Sequence, residues 1–333
     1  MYRFGKVLVV VAALSLVATA CGTDDVAEDA ADPTTTEEQS TTTAPEDGGE
    51  ATAVTIVADD YVFSEAPAEI EAGLVDVTFE NVGGVEHELA LVEIGDTPID
   101  QVGEDLAPTL EGGPFPDYVE NLAIPLVADG GETVTSSALV AEGNYALICT
   151  FTGVAPEEDA STTTAVEGIG GEEEEEGPRH YDLGMIRPLT VTAGEADATL
   201  PESESSVTAR DYSFDVDVSA GRQTVNFTNE GPDQVHHAVF FPFNEGVDEA
   251  AAEAALDTFL SSEDEQAPPP PEIDLEGLES SPEFGVFSTG LGASYDAEFE
   301  SGRTYAVVCF IQDRAGGPPH VFAHDMKEIF TVE

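Results

Sequence analysis

The chain has 333 residues, 41% of them hydrophobic, which is enough apolar material for about two ordinary cores. Its 69 acidic side chains against 9 Lys and Arg give a formal net charge of -60. A charge of that sign and size excludes nucleic acid and anionic lipid as electrostatic partners and fits a solvated surface suited to a salty habitat.

The first segment, "MYRFGKVLVVVAALSLVATAC", carries two bases and then an apolar run over 7–17. That run is too short to span a bilayer and reads as a signal peptide over 1–20. The small residues Ala18, Thr19 and Ala20 before Cys21 resemble a bacterial lipoprotein processing site. By that resemblance Cys21 is lipidated and holds the mature protein to a membrane, outside the cytoplasm. Residues 21–53 are acidic and Thr-rich with almost no bulky apolar side chains, so they cannot offset the cost of ordering and are expected to form a disordered tether.

Beyond the tether the sequence repeats. "VADDYVF" (57–63) returns as "TARDYSF" (208–214), and "EIEAGLVDVTFENVGGVEHELALV" (69–92) as "DVSAGRQTVNFTNEGPDQVHHAVFF" (217–241). "LVAEGNYALIC" (139–149) matches "EFESGRTYAVVC" (298–309), and each copy closes with a His, a Met and a last strand. Order and spacing are kept, which marks a duplication. The expected units are 54–193 with an acidic insert at 155–178, a linker at 194–204, and 205–333 with an insert at 244–285.

Within each copy short apolar–polar alternations are broken by Gly, Asn and Pro. Val75, Val77 and Phe79 fall on one strand face, as do Val225 and Phe227. The predicted fold class is all-β: two tandem Greek-key β-sandwich domains, one per copy. One helical excursion is expected at 248–265, with Ala254, Leu256 and Leu260 as its apolar stripe and "PPPP" (268–271) beyond its end. Its counterpart in the first copy is an excursion at 95–123.

The scarce residues fall inside the repeated motifs. The six histidines are His87, His180, His236, His237, His320 and His324; past Cys21 the cysteines are Cys149 and Cys309; past the initiator the methionines are Met185 and Met326. Each copy supplies, in the same order, a His after an "N-x-G" turn, a Cys at a strand end, then a His and a Met. Two imidazoles, a thiolate and a thioether make a soft mixed donor set suited to copper, the set that serves electron transfer when the Met is a weak axial ligand.

At these motifs each copy resembles a cupredoxin, the small blue-copper fold. "EHELAL", "ALICTF" and "RHYDLGM" match the family pattern in the first copy, and "VHHAVFF", "AVVCFI", "PPHVF" and "HDM" in the second. The resemblance implies one copper per domain, held by His87, Cys149, His180 and Met185 and by His236, Cys309, His320 and Met326. It also implies outer-sphere electron transfer with a redox partner protein, through exposed edges of His180 and His320. The chain is expected to be a monomer.

Two departures stand out. Thirty residues, 150–179, separate Cys149 from His180, where the family has a short loop; the acidic insert would bulge outward as a disordered lobe with its ends near the metal. In the second copy five residues, not four, separate His320 from Met326, and Asp325 stands where the first copy has Gly184; the added residue either displaces the sulfur from the axis or lets His324 compete as a ligand. His237 either anchors a loop or points to solvent.

Three other readings compete. A disulfide between Cys149 and Cys309 is favoured by export but disfavoured by their equivalent positions in two separate sandwiches. A multicopper oxidase or nitrite reductase would need further histidines, commonly His-x-His pairs, and the sequence has none, so the chain is not expected to be an enzyme. A metal-free cupredoxin-like envelope module, for partner binding or metal capture, keeps the fold without the copper.

Overall fold

The computed structural model describes residues 51–153, 177–194, 197–262, 268–278 and 280–333. The expected signal peptide, Cys21, nearly all of the tether and most of the acidic insert lie outside the described residues.

The first copy runs β1 (Thr52–Asp59), β2 (Val62–Glu65), β3 (Glu69–Glu71), β4 (Gly73–Asn81), β5 (His87–Glu93), α1 (Ile99–Leu110), β6 (Leu122–Ala128), β7 (Thr133–Val140), β8 (Gly143–Ile148) and β9 (Ile186–Thr192). The second runs β10 (Ser205–Arg210), β11 (Ser213–Asp217), β12 (Gly221–Asn229), β13 (His236–Pro242), α2 (Glu249–Ser261), α3 (Leu275–Leu278), β14 (Glu283–Phe287), β15 (Gly292–Phe299), β16 (Thr304–Val308), α4 (His320–Ala323) and β17 (Lys327–Thr331). Among the described residues no helix is long and apolar enough to cross a membrane.

The strands form two sheets, ordered β11-β10-β12-β15-β7-β4-β1-β2 and β17-β16-β13-β14-β6-β5-β8-β9-β3. Each copy is thus a two-layer sandwich, and the copies lie side by side. They are joined by more than a linker, because β15 pairs antiparallel with β7 and β14 with β6. The sheets therefore run unbroken across the seam.

Alternation fixes the inner faces. Val75, Val77 and Phe79 on β4, and Val225 and Phe227 on β12, are all buried in the sandwich core as their spacing predicts. Strands β5 and β13 are buried on both faces. On β5, Leu89 and Leu91 face the core, while Ala90 and Val92 join a second cluster with Val102 and Leu106 of α1. The first excursion covers the outer face of its sheet.

That excursion contains a helix the sequence reading did not place. Ile99, Val102, Leu106 and Leu110 keep a helical spacing, but Gly103 and Pro108 inside it mask the signal. The second excursion is helical over Glu249–Ser261, capped by the Asp248 carboxylate accepting from the Ala251 N–H at 2.9 Å. Its buried stripe is Ala252, Ala255 and Leu256, whereas Ala254 faces solvent. Of the expected stripe Leu256 is buried and Leu260 half-buried, so only Ala254 is corrected, and Ala252 and Ala255 complete the packed face.

Candidate metal centres

Strand alternation sends the donors inward. His87 shares a strand face with Leu89 and Leu91, and Cys149 extends the inward series of Tyr145 and Leu147 one residue past β8. Ahead of His87, the Asn81 carboxamide oxygen accepts from the Gly83 N–H at 3.0 Å while its amide donates to Val85 O at 2.7 Å and Ala128 O at 2.9 Å. Asn229 repeats all three bonds before His236, with Gly231, Gln234 and Phe287. A Cβ on Gly231 would stand 3.3 Å from His236 Nε2, so a bare backbone lets this turn close over the ring. The "N-x-G" signature is thus a clamp on the entry to the first donor strand.

In the first copy His87 Nδ1 lies 3.1 Å from His180 Nδ1, and Cys149 Sγ lies 3.9 Å from His87 Nδ1 and 3.4 Å from His180 Nδ1. In the second, Cys309 Sγ lies 3.8 Å from His236 Nδ1 and 3.4 Å from His320 Nδ1. A cation with bonds of about 2.0 Å to nitrogen and 2.3 Å to sulfur, at angles of about 100–130°, needs donor separations of about 3.1–3.9 Å. Both triads fit. All six donor residues are buried, as are Met185 and Met326.

The triads are held as metal-free chemistry would have them. Burial pushes the Cys149 thiol up to about 12, with Glu88 adding to it, and burial alone pushes Cys309 up to about 12. Burial and the facing imidazole bring His87 down to about 4 and His236 down to about 3. Burial also lowers His180, and it lowers His320 to about 4 against the pull of Asp313. The rings are neutral donors at neutral pH; each thiol must give up a proton to bind a cation.

The long spacing in the first copy is closed at its base. Thr152 bridges Arg179 as Gln312 bridges Pro319, and the His180 N–H donates to Phe151 O at 2.8 Å as the His320 N–H donates to Ile311 O at 2.8 Å. Residues 154–176 lie outside the description, yet the chain leaves and re-enters on the same rung as the ten-residue loop of the second copy. The His–Met loops also converge. The Met185 N–H donates to His180 O at 3.0 Å and the Met326 N–H to His320 O at 3.2 Å. The added residue is absorbed by the single turn α4 and by Asp325, which takes a left-handed φ of 55° where Gly184 has 118°.

Two histidines stand outside the triads. His237 Nε2 accepts the Phe310 N–H at 2.6 Å, so this ring anchors the backbone after Cys309. His324 does not compete for the centre: its Nε2 lies 3.0 Å from Asp313 Oδ2 and its ring stacks on Tyr212 at 3.6 Å. The turn α4 swings it outward.

The expected exposure of His180 and His320 is corrected. Their exposures are 2% and 0%. Tyr61 stands edge-on to His180 at 5.0 Å between ring centroids, and Tyr212 to His320 at 5.1 Å. Neither tyrosine was singled out from the sequence, although both lie in the repeated "ADDYVF" and "ARDYSF" motifs. Cys149 and Cys309 are both free thiols, each facing the imidazoles of its own copy, so the disulfide alternative is not formed.

No family model matches the chain, and no curated protein matches it. Solved structures similar to it include auracyanin B, 25% identical over 45% of this chain and 93% of that one, with a TM-score of 0.28. Another is auracyanin A, a "blue" copper protein from Chloroflexus aurantiacus, 22% identical over 43% of this chain and 100% of that one, with a TM-score of 0.26. A multicopper oxidase is 10% identical over 84% of this chain and 88% of that one, with a TM-score of 0.19. At these scores the likenesses identify nothing by themselves; what characterises the two centres is their donor atoms.

Proposed function

We propose that the chain is an electron-transfer protein holding one copper in each copy, by His87, Cys149 and His180 with Met185, and by His236, Cys309 and His320 with Met326. One observation carries this reading. Two buried Cys/His/His triads, built from the same strand positions, each converge to donor separations a soft cation requires. Copper bound there would supply reversible one-electron chemistry.

The residues of the chain do the rest. The imidazoles are kept neutral and aimed by their Nδ1 atoms, the buried thiol binds as a thiolate, and the close-packed surroundings limit rearrangement between redox states. All six histidines are described: four sit in the triads, His237 is an anchor, and His324 pairs with Asp313. That assignment favours a carrier over an oxidase, which needs additional imidazoles. We further propose work outside the cytoplasm, with Cys21 as the lipid anchor and a redox protein as partner; the leader and tether sequences support this.

The test is direct. Soluble protein beginning at Gly22 is mixed with Cu(II) and its visible spectrum recorded. A blue thiolate-to-copper band, reduced in part by Cys149→Ser and in part by Cys309→Ser, is the expected result. A colourless, folded β-protein after copper addition sinks the proposal and leaves the metal-free envelope module.

A further inference from the structure

The two copies place a tyrosine in the same position over each triad. Tyr61 lies 5.0 Å from His180 and 6.3 Å from His87 between centroids, at 68° and 87°; Tyr212 lies 5.1 Å from His320 and 6.3 Å from His236, at 76° and 89°. Each comes from a two-residue hairpin turn, Asp60–Tyr61 between β1 and β2 and Asp211–Tyr212 between β10 and β11. Asp60 has φ 43°, Asp211 φ 31° and Tyr212 φ 69°. Such turns ordinarily use Asn and Gly, and an aromatic residue at positive φ is strained. Of the two tyrosines only Tyr212 is at positive φ; what both turns share is a left-handed aspartate just before the tyrosine.

Both rings are half-buried while the four imidazoles beneath are at most 2% exposed. We propose that Tyr61 and Tyr212 are the covers of the two centres. Each ring bars water and small redox reagents from the imidazoles of its copy. The electron-transfer half of this statement rests on the copper reading above; the covering half does not.

The second cover is clamped by groups that the first copy lacks at the matching positions. The Tyr212 hydroxyl donates to Asp313 Oδ1 at 2.8 Å, and His324, itself 3.0 Å from Asp313 Oδ2, stacks on the ring at 3.6 Å and 22°. Burial pushes the Asp313 carboxyl up, but His324 and Tyr212 outweigh it and hold it below the usual carboxylate range. His320 Nε2 is 3.3 Å from Asp313 Oδ1 without the alignment of a hydrogen bond. Gly153 and Leu183 occupy the corresponding places in the first copy, and Leu183 is exposed.

The covering role is tested on metal-free protein by timed labelling with diethyl pyrocarbonate, read histidine by histidine by mass spectrometry. His324, with 31% side-chain exposure, is the internal reference. His180 and His320 are expected to label at least about tenfold more slowly than His324, a measure of how rarely each cover opens. Tyr61→Ala should erase that protection at His180 alone, and Tyr61→Phe should keep it. His324→Ala, which leaves both tyrosines in place, should speed labelling of His320 and leave His180 unchanged. Labelling of His180 as fast as His324 in the parent, or no change on Tyr61→Ala, overturns the proposal.

The insulating role is tested on copper-loaded protein with hexaammineruthenium(II). One electron leaves each ruthenium, giving ruthenium(III), and reduces one Cu(II) to Cu(I), followed as loss of the blue band. Tyr61→Ala and Tyr212→Ala are each expected to accelerate their own centre by about tenfold or more, the equivalent of about 1.4 kcal/mol of barrier. Unchanged rates reject it. A parent protein that never turns blue defeats the copper reading, while the labelling still decides the covers.

Discussion

Glu88 and His237 occupy the same position in the two copies and perform the same task with different chemistry. The Glu88 carboxylate accepts from the Thr150 N–H at 2.7 Å and the His237 Nε2 accepts from the Phe310 N–H at 2.6 Å, so each fixes the residue that follows a cysteine donor. Burial raises the Glu88 carboxyl against the bonds from Thr150 and lowers His237 to about 3, so the imidazole stays a neutral acceptor.

Removing either anchor leaves an N–H unpaired, part-buried at Thr150 and buried at Phe310. Glu88→Ala and His237→Ala are each expected to cost about 1–3 kcal/mol in urea unfolding of the metal-free protein. Glu88→Gln, which retains a carbonyl acceptor, should cost less than about 1 kcal/mol. With copper bound, each alanine variant should alter only the blue band of its own copy.

The seam supports the second centre more than the first. The Arg314 guanidinium donates to Val119 O at 2.5 Å, Glu120 O at 2.9 Å, Asp233 O at 2.7 Å and Ser288 Oγ at 3.0 Å, and the Gln312 amide donates to Thr109 O at 2.7 Å. Both belong to the loop between Cys309 and His320. Arg314→Ala is expected to destabilise the fold by about 2–4 kcal/mol. It should weaken copper binding in a Cys149→Ser background and leave binding in a Cys309→Ser background unchanged, as copper titrations would show.

The left-handed positions before the two methionines differ in tolerance. A Cβ at Gly184 would make an ordinary contact with Tyr61 O at 3.7 Å, so the cost of Gly184→Ala comes only from its φ of 118°. The expected loss is about 1–3 kcal/mol. Asp325→Gly exchanges strain relief for chain entropy and should change stability by less than about 0.5 kcal/mol. Thermal melts of the two variants check both.

Acid should weaken the metal-free protein. Its triad imidazoles have lowered values, about 4 for His87 and His320 and about 3 for His236, so the unfolded chain binds more protons than the folded one below the ordinary histidine value near 6.5. Stability is present above that value and is lost as pH falls toward 4 and 3, which melting temperatures over that range would show. Both thiols are raised to about 12, so each copper bound should displace one proton near neutral pH. Apparent copper affinity should then rise about tenfold per pH unit, and a titration with no proton release contradicts the thiolate ligand.

Much of each centre was legible because strand alternation and scarce residue types speak together. His87 with Leu89, and Cys149 with Leu147, declare their inward faces at a period of two. The duplication then doubles every inference. What stayed hidden depends on contacts across the fold: Tyr61 reads as one more strand aromatic until the hairpin turns it over His180. Helix α1 is obscured locally by Gly103 and Pro108. The outward swing of His324 depends on Asp313 and Tyr212, neither of which is near it in sequence.

The antiparallel contacts β6·β14 and β7·β15 give the duplication a physical rationale. Each copy alone would carry two naked strand borders more than it does here, β6 and β7 or β14 and β15, with backbone groups ready to recruit another chain. Fusing two copies in one polypeptide consumes all four borders at once, in a fixed register. A half-length protein would have to find its mate by diffusion; this one is born with it.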